Sequence, residues 1–71
     1  MYLDAILVLI DKEIEENKQY MDHLERLIEN PESSEDAKKS YQESIHGCKI
    51  REIVLSNFKD RALETYREFN D

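Results

Sequence analysis

One pair of residues has the types and spacing of known helix-bundle chemistry: Glu43 and His46, in Glu43-Ser44-Ile45-His46. Glu-x-x-His on a helix turns both side chains the same way, and bundles use that spacing to build di-iron carboxylate centres. A dimer of helical hairpins would supply the pair twice, with glutamates of a neighbouring helix as further donors. Such a centre needs several more convergent ligands. Helical spacing also sets Glu43 and His46 roughly opposite Tyr41, Ile45 and Cys48, so they point away from the inside of a hairpin. A metal-binding bundle through Glu43 and His46 is therefore only a minor alternative.

The other candidates for chemistry have simpler structural roles. His23 falls near the end of a first helix, where a cationic form is mildly favoured by the helix dipole. Cys48 is the sole cysteine, set on an apolar stripe without a dedicated base, and reads as a small buried hydrophobe. Tyr20, Tyr41 and Tyr66 suit the boundary of a core, ring inside and hydroxyl in water. There is no glycine-rich phosphate loop and no Ser/His/Asp arrangement on a scaffold that could hold it. The expectation is a protein that is not an enzyme, with no catalytic residues and no cofactor.

The elements that must position these residues are helices. Gly and Pro occur once each among 71 residues, at Gly47 and Pro31, and charged residues make up 38%. From Tyr2 to Glu29, residues recur at alternating intervals of four and three: Leu3, Leu7, Ile10, Ile14, Asn17, Met21, Leu24, Ile28. This is a heptad seam with Asn17 its one polar member. Asn17 is either a selector of register or oligomeric state, as buried Asn can be in coiled coils, or a partly solvated residue at the waist. Tyr2, Ile6, Val8 and Leu9 make the first turns apolar nearly all round, which predicts burial on several sides.

Asn30-Pro31-Glu32-Ser33-Ser34 is the connection. Asn30 is expected in a left-handed C′ conformation before Pro31. Ser33 or Ser34 then caps a second helix, Ser33 with Asp36 as a short capping box. The second helix spans about 34–69, lying antiparallel to the first because the link is short. Gly47 is expected inside it as a tolerated glycine, a mild kink or a point of close approach across an interface; a break there, giving three helices, is less favoured because Cys48 is a poor cap.

Two apolar faces follow from this second helix. Ala37, Tyr41, Ile45, Cys48, Leu55, Phe58, Ala62, Tyr66 and Phe69 share one broad side; Ile50, Ile53 and Val54 fall nearly opposite, beside Asn57. With the turn near residue 32, residue i of the first helix lies level with about 64 minus i. The second stripe thus coincides with the end of the first helix that is apolar all round. The expected hairpin core is Leu3, Leu7, Ile14, Met21, Leu24, Ile28, Tyr41, Ile45, Cys48, Leu55, Phe58 and Ala62. The expected interface with a second copy is Ile6, Leu9, Ile10, Ile50, Ile53, Val54 and Asn57. The fold class is all-α: residues 1–71 form a single antiparallel helical hairpin, dimerising into a four-helix bundle.

Size supports association, since a core this small rarely stabilises a chain without disulfide, metal or oligomer. Net charge is −7, which disfavours direct binding to nucleic acid or to an anionic membrane. The opening run contains Asp4 and leads into Asp11-Lys12-Glu13, unlike a targeting segment; a lone cysteine then suggests the cytoplasm. The functional expectation is a homodimeric adaptor, inhibitor or regulatory subunit with a larger protein partner, anchored by residues such as Tyr20, Leu27, Leu63 and Phe69. The alternative is an acidic nucleic-acid mimic in which Glu13, Glu16, Asp22, Glu25 and Glu29 stand in for phosphates.

Overall fold

The heptad seam of the first helix and the capped start of the second produce two long helices in a computed structural model of the chain. Helix α1 spans Tyr2–Glu29 and α2 spans Glu35–Asn70. The structure describes residues 2–70, with side chains described for 4–69. The side chain of Leu3, expected in the core, lies outside the described residues, as does that of Tyr2. At about 1.5 Å per residue, α2 accounts for the long dimension of the molecule, which measures 55 × 15 × 13 Å.

Three short interactions make the turn. The Ser33 backbone N–H donates to Asn30 O at 3.1 Å, and the Glu32 N–H donates to Asn30 Oδ1 at 3.0 Å. The Ser33 hydroxyl donates back to Leu27 O at 2.7 Å, satisfying a carbonyl left over at the end of α1. Asn30 does not adopt the left-handed conformation expected of it: among the described residues none has positive φ. A residue before proline is held toward extended backbone, and the Asn30 side chain closes the turn instead. The Ser33/Asp36 capping box is also replaced. Ser33 is turned back on α1, and Ser34 caps α2 alone, accepting from the Ala37 N–H at 3.1 Å.

Along α1 the deepest residues are Ile10, Asn17 and Leu24, one per heptad. Leu7, Ile14, Met21 and Ile28 are half-buried beside them. On α2 only Cys48 reaches the same depth, while Tyr41, Ile45, Glu52, Leu55, Lys59, Ala62 and Tyr66 are half-buried. These eight positions alternate by four and three, so α2 also packs on a heptad repeat. That repeat places Lys59 at the seam. Phe58, expected inside the hairpin, is 54% exposed. The reason is the period: apolarity chose Phe58, but a 3.5-residue repeat carries the contact line through its neighbour.

Asn17 and Cys48 meet at the waist of the hairpin. The Asn17 amide, only 7% exposed, donates through Nδ2 to Cys48 O at 2.9 Å. The partly solvated role is thereby excluded, and the buried amide links the two helices at one level. One turn toward the open end, Arg51 bonds Glu13 at 3.0 Å. Both pairs obey the level relation drawn from the turn. Lys59 and Asp11 form a second bridge at 2.6 Å. Both bridges are substantially exposed and add little stability, at most about 1 kcal/mol each. Helix α2 is continuous through Gly47, so the described residues form two helices, with no break there. No helix among the described residues is long and apolar enough to cross a membrane.

Candidate interaction surface

The two helices leave much apolar surface uncovered. Of the described apolar side chains only Ile10, Leu24 and Cys48 are buried, while Leu9 is 60% and Ile53 62% exposed. Folded monomers of 8.5 kDa expose roughly 4,700 Å² by the usual scaling with mass. This chain exposes 5796 Å². The excess of about 1,100 Å² is larger than the roughly 800 Å² each partner contributes to a standard interface.

The exposed residues do not form one patch. Ile6, Leu9, Ile10, Leu55 and Phe58, with Glu13 at the edge, line a groove of about 360 Å³ between the helices near their open end. Val54 flanks Phe58 with Asn57 and Arg61. Further toward the turn, past Glu13, a hollow of about 390 Å³ is lined by Glu13, Glu16, Asn17, Tyr20, Ser44, Gly47, Cys48 and Arg51. Because Glu13 borders both, groove and hollow share one flank of the hairpin. Ile50 and Ile53 lie elsewhere. They stand about 200° and 140° round α2 from buried Cys48, on its outer side.

The expected interface therefore separates into parts. Ile6, Leu9 and Val54 share the grooved flank, with Asn57 at its edge and Phe58 as the member missed in the sequence. Ile50 and Ile53 form an outer stripe. Ile10, expected at the interface, is 5% exposed; it is the floor of the groove and belongs to the hairpin core, because the line Ile10, Asn17, Leu24 of the α1 seam faces α2 directly. The signal that would have found Phe58 is the heptad of α2 extended through Glu52 and Lys59, despite their charge. Long side chains lay their aliphatic stems along such a seam and keep the head in water.

The chemistry-bearing pair is on the outside. Glu43 and His46 are both exposed, as is His23. Among the described residues, no three His, Cys, Asp or Glu side chains converge on a point where an ion could sit. Cys48 is a free, buried thiol. Of the partner anchors expected from sequence, Tyr20 and Phe69 are exposed, while Leu27 and Leu63 are half-buried. What the surface can do is exclude water against another apolar surface, with Glu13, Glu16, Arg51 and Arg61 at its edge to select orientation.

No family model, curated protein or solved structure matches the chain.

Proposed function

We propose that the protein is a small interaction module that acts as a homodimer, two hairpins closing into a four-helix bundle that presents acidic helix faces to a larger protein. The single observation that carries this is the uncovered apolar flank, on a chain whose total surface is about 1,100 Å² larger than a compact chain of this mass exposes. A contiguous apolar groove on so small a core is an association site, and a second hairpin is the simplest cover for it. The outer stripe of Ile50 and Ile53 and the exposed ring of Phe69 then remain for the larger partner. Glu15, Glu16, Asp22, Glu25 and Glu29, which make no ion pair among the described residues, favour a basic partner surface.

Sedimentation equilibrium at micromolar concentration tests the homodimer. The expected mass is twice 8.5 kDa, with a melting temperature that rises with protein concentration. A stably folded single-chain species at all concentrations would reject the proposal.

A further inference from the structure

We propose that the second copy docks flank to flank with its two-fold axis parallel to the hairpin, so that both turns lie at the same end. This rests on the homodimer proposed above and specifies its face and direction. A half-turn about the long axis exchanges left and right but preserves height. Each residue of α1 then faces the residue of α2 in the second copy that lies level with it. Three layers become complementary.

At the open end, Ile6 and Leu9 of one copy meet Phe58 and Val54 of the other, apolar against apolar. One layer on, Glu13 faces Arg51 of the second copy, joining the two bridges of 3.0 Å into a ring of alternating charge. At the hollow, Tyr20 is level with Ser44 of the second copy, and its 52% exposed ring, leaning toward the N-terminus of α1 as helical side chains do, covers the turn of the second copy's α2 that holds Gly47.

The last layer gives Gly47 a purpose that the single chain does not. A glycine inside a helix costs about 1 kcal/mol relative to alanine. Gly47 lacks positive φ, and a Cβ built on it would meet nothing within 4 Å. Neither backbone conformation nor packing within the hairpin calls for glycine there. A bulky ring arriving from a second copy does. Reversing one hairpin about an axis at the level of the Glu13–Arg51 bridge removes the fit: α1 would then face α1, placing Glu13 against Glu13 and Arg51 against Arg51, like charges that oppose docking.

Isotope-filtered NMR on an equal mixture of labelled and unlabelled wild-type protein tests the arrangement, because it reads only contacts between copies. The expected contacts are the Tyr20 ring with the Gly47 α-protons and the Leu9 methyls with those of Val54. Contacts between copies through Ile50 and Ile53, or between open-end and turn residues, would overturn the arrangement while leaving a dimer. A monomer by sedimentation would remove the homodimer itself. Gly47→Phe provides a second measurement: association should weaken at least tenfold with the helical circular dichroism retained. Undiminished association of that variant would also overturn the arrangement.

Discussion

The turn half and the open half of this hairpin are built from similar helices but close differently. In the turn half, Leu24 is 3% exposed, Ser33 satisfies a leftover carbonyl of α1, and Ser34 caps α2. Apart from Tyr20, its apolar residues on α1 are at least half covered. In the open half, Ile10 is covered, yet Leu9, Val54 and Phe58 each remain more than half exposed. Local geometry cannot explain the difference, since both halves keep the same heptad contact line. The open half carries apolar side chains beyond that line, where one neighbouring helix cannot reach. The turn half is thus the better closed, and the open half leaves apolar side chains uncovered.

The sharpest way to break this comparison is in the turn half. Leu24→Ala should cost about 2–5 kcal/mol, a large share of what so small a domain possesses; loss of the helical signal in thermal and urea denaturation checks it. In the open half, Leu9→Glu combined with Phe58→Glu should leave the helices formed at low concentration but abolish the dimer. Interface anchors of this kind carry about 2 kcal/mol or more each, so sedimentation should show the dissociation constant raised by a hundredfold or more. If this double variant unfolded the isolated hairpin as Leu24→Ala does, the distinction between halves would fail.

Smaller changes sharpen the contrast. Ser34→Ala should cost about 1 kcal/mol through the lost cap, read as a lower urea midpoint at unchanged dimer affinity. Asp11→Asn, which removes the Lys59 bridge, should cost no more than about 1 kcal/mol, and the small effect should vanish in high salt.

Much of the fold was legible in the sequence because the heptads of α1 are nearly unbroken and the single proline sits between the helices. Residues 2–29 were expected as the first helix and are found there, and the start of α2 differs by one residue. The level relation followed from the short turn alone. The details that escaped share a cause: several local devices were available and tertiary contacts chose among them. Ser33 could cap, but its hydroxyl found Leu27 O. Asn30 could turn left-handed, but its side chain closed the turn on the Glu32 N–H instead. Phe58 looked like core because it is apolar, whereas Lys59 looked like surface because it is charged. Position on the 3.5-residue repeat outweighed both chemistries. The candidate site was harder to read. Surplus apolarity marked the open end, but whether Ile53 and Leu9 shared a face depended on how the two helices were rotated about their own axes.

The buried position of Cys48 has a practical consequence. Its thiol is the only one in the chain, and it is shielded at the waist, beside the carbonyl that receives the Asn17 amide. A thiol-reactive dye meets it slowly while the helices are closed and faster when they part at that level. The rate of alkylation is thus a clock for breathing of the hairpin, supplied by the native side chain with no label introduced.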